Sequence, residues 1–288
     1  MALDDYSAAA LLQWYADVGV DEATGDAPID RTKLADKPAV VSYAAQGEAP
    51  VAEGARAPLP PLNLPGMKAP AAPAVDANPG SFEAIGDAKA MAAAANTIDE
   101  LKQALEDFKG LSIKRTATQM VFADGNPAAR VMLVGEAPGA DEDRIGRPFV
   151  GISGQLLDRM MGAIGLNRDE TIYISNVINW RPPGNRNPSD AEIALSLPFI
   201  QRHIELVNPA VVLFVGGVSA KALLQTTEGI TRLRGRWTSY QSEGMAAPIP
   251  ALPIFHPAYL LRSPQQKSLA WADLLKLKAR LRELKILP

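Results

Sequence analysis

From residue 131 onward, short apolar runs alternate with stretches of helical periodicity, and this alternation limits the chain to a small group of folds. Residues 131–134 (VMLV), 172–178 (IYISNVI), 211–215 (VVLFV) and 251–255 (ALPIF) are each short and largely aliphatic, the pattern of strands buried on both faces. Between them lie helical stretches at about 153–164, 190–207 and 217–224, and a longer one at 265–285. Strands that run parallel need crossovers long enough to hold a helix. The expectation is therefore an α/β fold, a three-layer α/β/α arrangement around a central, mainly parallel four-stranded sheet, with one folded domain over 81–288.

Upstream of the first strand, residues 82–95 are Ala-rich and read as a helix. A second helix follows with Thr97 as N-cap and Glu100 three positions on, a capping-box spacing, and Gly110 is placed at its end. Residues 1–20 carry one short helix, with Leu11, Leu12, Trp14, Tyr15 and Val18 grouped on one side. Residues 21–80 lose all periodicity, and eight prolines fall between Pro50 and Pro79. Such a segment has too little apolar surface to offset its ordering entropy, so a disordered linker is expected. The tethered helix either recruits a protein partner or folds back on its own body. No internal repeat is found.

Composition excludes several classes. The chain of 288 residues has no cysteine, which rules out disulfides, zinc ribbons, thiol nucleophiles and thiolate-held clusters. The longest apolar run, from Pro209 to Val218, is far short of the roughly 20 residues of a membrane span. Asp4 and Asp5 stand where a secretory signal would be basic, so a soluble, cytoplasmic monomer is expected. Charge is unevenly divided. Residues 1–100 hold 6 Lys+Arg against 15 Asp+Glu, whereas residues 101–288 hold 23 against 17. A basic body on an acidic arm points to an anionic partner for the body, or to an ordinary solvated surface.

In open parallel sheets, ligands sit outside the carboxyl ends of the strands, and each of those ends is chemically marked here. The first strand runs into GEAPG (135–139), then Asp141, Glu142, Asp143 and GRPFVG (146–151). The second delivers Asn176 and then RPPGNRNP (181–188); the third ends at Gly216–Gly217 and the fourth at His256–Pro257. The acidic run 141–143 reads as a solvated turn, and no metal site is expected. His203 lies mid-helix and reads as structural or exposed. Asn176, an amide in an apolar strand, is either satisfied by backbone or reads a ligand edge with its paired donor and acceptor. Phe149 is either a core plug or a stacking platform. No GxGxxG, GxxxxGK or GxSxG occurs, so dinucleotide, P-loop and serine-hydrolase chemistry have no support.

Together, GEAPGADEDRIGRPFVG, YISNVINWRPPGNRNP and FHPAYLLR closely resemble the family 4 uracil-DNA glycosylases, over about three-fifths of the chain and in that family's order. The resemblance implies a DNA repair enzyme that flips uracil out of the duplex and hydrolyses its N-glycosidic bond. It implies that Phe149 stacks on the base, that Asn176 hydrogen-bonds its pairing edge, and that Gly135 and Pro138 help bind it. His256 would stabilise the departing anion at O2, Glu136 and Glu142 would hold or polarise the attacking water, and Asn185 would complete the pocket. Leu260 and Leu261 are the expected wedges, or else helix-end packing. Arg181, Arg186, Arg262 and the run Arg232, Arg234, Arg236 are the expected phosphate contacts.

One departure stands out. Family 4 enzymes carry four cysteines that hold a four-iron four-sulfur cluster, and this chain has none. The corresponding positions fall at Phe108, Leu111, Trp180 and Ser196, so the expectation is a cofactor-free enzyme in which hydrophobic packing takes the cluster's structural part. Two other readings stay open on the residues: a non-catalytic DNA-binding or scaffold member, and a glycosylase for another deaminated base.

Overall fold

The computed structural model describes residues 82–287. The expected N-terminal helix and the Pro-rich linker lie outside the described residues. Six strands form one sheet: β1 (Ala123–Gly125), β2 (Val131–Gly135), β3 (Ile172–Asn176), β4 (Val211–Val215), β5 (Thr238–Tyr240) and β6 (Ile249–Ile254), in the order β1-β3-β2-β4-β6-β5. The four strands expected from the apolar runs form the parallel centre, β3-β2-β4-β6. The expected count of four is corrected to six, because β1 and β5 add short antiparallel edges. Each edge strand is three residues long (ADG and TSY) and carries no apolar run, which is why periodicity misses it.

Nine helices occur among the described residues: α1 (Phe82–Ala94), α2 (Ile98–Asp107), α3 (Ala140–Ile145), α4 (Ile152–Gly162), α5 (Asp190–Val207), α6 (Gly217–Leu224), α7 (Ile230–Leu233), α8 (Pro257–Arg262) and α9 (Lys267–Glu283). Strand side chains alternate between faces. Met132, Val134, Tyr173, Val212 and Phe214 pack with α1, α2 and α5 on one side. Val131, Leu133, Ile174, Leu213 and Ile254 pack with α4 and α9 on the other. The two helical layers complete the α/β/α arrangement.

Capping explains where helices start. Thr97 accepts the Glu100 N–H at 3.1 Å, and the Glu100 carboxylate returns to the N–H of Asn96 at 2.7 Å, one residue earlier than a strict capping box. The helix stops at Asp107, short of Gly110, with Phe108 as its C-cap. At α5 the box is complete: Ser189 accepts from Glu192 N–H, and Glu192 accepts from Ser189 N–H. His203, buried in α5, stacks on Phe122 and lies 3.1 Å from the Tyr173 hydroxyl. It is a core residue.

Candidate active site

The chain leaves β2 to pair β3 on one side, then returns to place β4 on the other. A crevice opens at such a reversal, beyond the carboxyl ends of the strands. Here the parallel register sets Gly135, the last residue of β2, beside Asn176, the last of β3. A Cβ at Gly135 would stand 2.3 Å from Asn176 Oδ1 and 2.6 Å from the Phe149 ring. Glycine is therefore required for the amide and the ring to come together. Asn176 is 2% exposed, and its Oδ1 has no hydrogen-bond partner. Leaving a buried amide oxygen unpaired costs about 1–3 kcal/mol, and the backbone does not satisfy this one.

Phe149 reaches this point on a constrained loop. Its φ is 54°, a left-handed conformation that costs a non-glycine residue about 1–2 kcal/mol. Its ring centroid lies 5.5 Å from that of His256, tilted by 31°. Glu142, buried at the start of α3, accepts hydrogen bonds from Val150 N–H (2.9 Å), Gly151 N–H (2.9 Å) and Gly139 N–H (3.1 Å). Both of its oxygens are committed to the backbone of the two loops flanking α3.

His256 is the N-cap of α8, and its Nδ1 accepts the N–H of Ala258 at 3.2 Å. With Nδ1 an acceptor, a neutral imidazole carries its proton on Nε2. Burial lowers its pKa to about 4, helped by Arg262 and opposed by Glu142. Near neutral pH the ring is therefore an uncharged donor at the cavity wall.

Glu136 differs from Glu142. It lies just past the end of β2, lines the cavity, and its carboxylate has no hydrogen bond or ion pair among the described residues. Burial raises its pKa above the usual carboxylate range. A half-buried carboxylate with its oxygens free can hold and deprotonate a water, whereas amides take three of the roughly four acceptor sites of Glu142. The cavity encloses about 560 Å³ and is also lined by Pro138, Asn185, Arg186, Tyr259 and Arg262.

The remaining expected residues separate. Asn185 sits at the rim with φ 55°, and Arg181 Nε donates to its Oδ1 at 2.7 Å. Arg186 makes a two-pronged pair with Glu192 at 2.7 and 2.8 Å, which ties the Pro-rich loop to the first turn of α5. Arg262 is exposed beside the cavity. Three expectations are corrected. Arg234 is not a free phosphate contact: it is locked onto Asp273, which is 0% exposed, and donates to Leu269 O at 2.6 Å. Leu260 is not a wedge, because it is 1% exposed and packed into the core, whereas its neighbour Leu261 is 39% exposed. The acidic run is no solvated turn either. Asp143 is buried and accepts from Thr118 N–H and hydroxyl, both at 2.8 Å, while Asp141 pairs with Arg144. Sequence reasoning missed Tyr259 and Ser153 as cavity residues; their adjacency to His256 and to the Gly151 turn was the available signal.

A family model described as the uracil DNA glycosylase superfamily matches residues 122–275. The chain belongs to the uracil-DNA glycosylase superfamily. The Type-4 uracil-DNA glycosylase of Sulfurisphaera tokodaii is 35% identical over 198 residues, covering 67% of this chain and 87% of that protein. That of Archaeoglobus fulgidus is 32% identical over 185 residues, covering 63% and 92%. That of Saccharolobus solfataricus is 36% identical over 163 residues, covering 55% and 74%.

The four positions where the resemblance would put cluster cysteines hold no thiol. Phe108, Leu111, Trp180 and Ser196 are all buried, and the first three belong to one hydrophobic cluster. Phe108 packs on Phe199 with ring centroids 5.3 Å apart, and the Lys114 ammonium sits 4.8 Å from the centre of the Trp180 ring. An iron–sulfur cluster is held by thiolates, and none of these side chains offers one. The residues present do not fit the group.

Proposed function

We propose that this protein is a DNA repair enzyme that excises uracil, hydrolysing the bond between uracil N1 and the deoxyribose C1′ and leaving an abasic site. The observation that carries the reading is the buried, unpartnered amide oxygen of Asn176 at the wall of the cavity. An amide presents an acceptor and a donor side by side, which matches the N3–H and O4 of uracil; cytosine presents the opposite pattern at that edge. Phe149 supplies the stacking face for a flipped base, and Gly135 leaves room for it.

As the N1–C1′ bond breaks, its electron pair goes to the uracil ring and the sugar becomes oxocarbenium-like. In this reading the Nε2–H of His256 hydrogen-bonds the anion building at O2, an interaction of the kind worth about 2.7–4 kcal/mol when preorganised in a dry site. Glu136 holds the water that adds to C1′ and takes up its proton, and its negative charge also steadies the sugar cation. Glu142 is assigned to holding the loops on either side of α3. Asn185 closes the rim. Leu261 is the wedge that fills the space left by the flipped base, and Arg262 and Arg181 meet flanking phosphates, with Arg232 and Arg236 further out.

The chemistry is proposed to proceed with no iron–sulfur cluster, the packing around Trp180 bracing the Pro-rich loop. A cytoplasmic monomer fits this reading, and no helix among the described residues is long and apolar enough to cross a membrane. The test is single-turnover cleavage of uracil-containing oligonucleotides, single- and double-stranded, with alkali to reveal abasic sites and a thymine control. Uracil-dependent cleavage that is lost in Asn176→Ala supports the proposal. DNA binding with no cleavage of uracil overturns it.

A further inference from the structure

The loop that carries Phe149 is gripped from a second side by a residue with no place in the chemistry. Arg168, in the turn before β3, donates from Nη1 to Pro148 O at 2.8 Å and from Nη2 to Phe149 O. These are the carbonyls of the two peptide planes that flank the Phe149 Cα, and the orientations of those planes define its φ and ψ. Glu142 meanwhile accepts the N–H of Val150, the other end of the second plane. One peptide unit thus has its oxygen held by a cation and its hydrogen by an anion. Gly154 permits the close approach, since a Cβ there would lie 1.9 Å from Phe149 O.

Arg168 is itself immobilised. Its Nε donates to Asp158 at 2.7 Å and its Nη1 to Asp124 at 2.7 Å. Asp124 also takes a two-pronged bond from Arg147, both contacts at 3.0 Å. Burial pushes the Asp124 carboxyl up, but the hydrogen bonds and charges of Arg147 and Arg168 outweigh it and hold the pKa below the usual range. Asp124 stands on β1, so the short edge strand, pinned to β3, delivers the anchor. A strained residue persists only where its surroundings over-determine it, and these contacts do so.

We infer that Arg168 is a positioning residue: by fixing both peptide planes around Phe149 it holds the strained, left-handed backbone that aims the ring into the base pocket beside Asn176. This rests on the proposed role of Phe149 as the stacking platform, and its test has one arm independent of activity.

The first arm is amide exchange followed by mass spectrometry on the peptide covering residues 147–153, in the wild type, Arg168→Lys and Arg168→Gln. Lysine keeps the charge but cannot reach two carbonyls and two carboxylates at once. Faster exchange confined to this peptide, greater in Gln than in Lys, is expected; exchange equal to wild type overturns the inference whether or not the protein is active. Asp158→Asn is the milder variant should Arg168→Gln fail to fold, and it should speed exchange in the same peptide. The second arm is a double-mutant cycle on single-turnover cleavage. Arg168→Gln should slow the wild type about 100-fold, the scale of a misplacement near 1 Å, yet slow Phe149→Ala by less than about threefold, because the platform is already gone. Equal losses in both backgrounds overturn the inference. A wild type that cleaves no uracil overturns the function instead, and the exchange arm then decides the role of Arg168 alone.

Discussion

The Nδ1 of His256 accepts the backbone N–H of Ala258, two residues on, at 3.2 Å. That bond assigns the ring proton to Nε2, the nitrogen left free to act as donor, and burial with Arg262 nearby lowers the pKa to about 4. The folded value lies below the unfolded 6.5, so the neutral ring is favoured in the folded protein. The stability this gives is complete above about pH 6.5 and is lost as pH falls toward 4.

A pH profile of single-turnover cleavage should therefore show no break near 6.5. Its acid limb should belong to Glu136, whose pKa burial raises above the usual carboxylate range, and the rate should fall with pH as that carboxylate is protonated. Arg262→Gln removes a charge that depresses the His256 pKa, so the ring should titrate higher by NMR while the acid limb, set by Glu136, stays in place. A limb at 6.5 in the wild type would mean that His256 works as a titrating base.

Gly135→Ala tests the slot between the ring and the amide. The new methyl would meet Asn176 Oδ1 at 2.3 Å and the Phe149 ring at 2.6 Å, and both neighbours are held in the core. Cleavage should drop at least about 100-fold, and overpacking should cost about 1–3 kcal/mol in denaturant unfolding. Near-wild-type turnover would show that Phe149 can swing away, contrary to the constrained loop described here.

How much was legible in the sequence depended on the distance over which each feature is decided. The four central strands and the Thr97-capped start of α2 are local patterns, and they appear as expected. Gly135, Phe149, Asn176 and His256 converge because parallel strands all end on the same side, so their placement follows once the strands are known. Arg234 was misread because its partner Asp273 lies 39 residues on. Leu260 and Leu261 differ only in which face of α8 they occupy, and six helical residues give too little periodicity to decide that. Arg168 passed unnoticed because its partners lie on three separate segments, at Asp124, at Pro148 and Phe149, and at Asp158. Edge strands of three residues leave no pattern to find.

The arginines should separate into structural and DNA-facing groups. Removing one partner of a buried pair costs about 3–5 kcal/mol, so Asp273→Ala should lower Tm sharply while leaving the salt dependence of DNA binding unchanged. Arg262→Ala should behave in the opposite way, with stability within about 0.5 kcal/mol and the slope of log K against log salt reduced by about 1. Measurement of both variants by thermal melting and by a salt titration of abasic-site binding checks the division. A reduced slope for Arg234→Ala, which deletes the cation itself, would place Arg234 back at the DNA.

Trp180 should act as the brace of the Pro-rich loop that begins at Arg181. Lys114, 4.8 Å from the centre of its ring, donates to Leu105 O at 3.3 Å, to Phe108 O at 2.9 Å and to Glu106 O. The ammonium thus closes the carboxyl end of α2 and lies over the indole, joining that helix to the strand end that carries Asn176. Burial lowers its pKa, with Glu106 and Asp107 acting to raise it. Trp180→Ala should cost about 3–5 kcal/mol from the cavity it leaves, and should reduce cleavage by loosening Arg181 and Asn185. Trp180→Phe, which keeps the volume more nearly, should recover most of both. Lys114→Met should cost about 1–3 kcal/mol as the three carbonyls lose a charged donor. Purified wild-type protein should carry no iron and no absorbance band near 400 nm; stoichiometric iron would require the packing around Phe108, Leu111, Trp180 and Ser196 to open, and would overturn the bracing role given to Trp180.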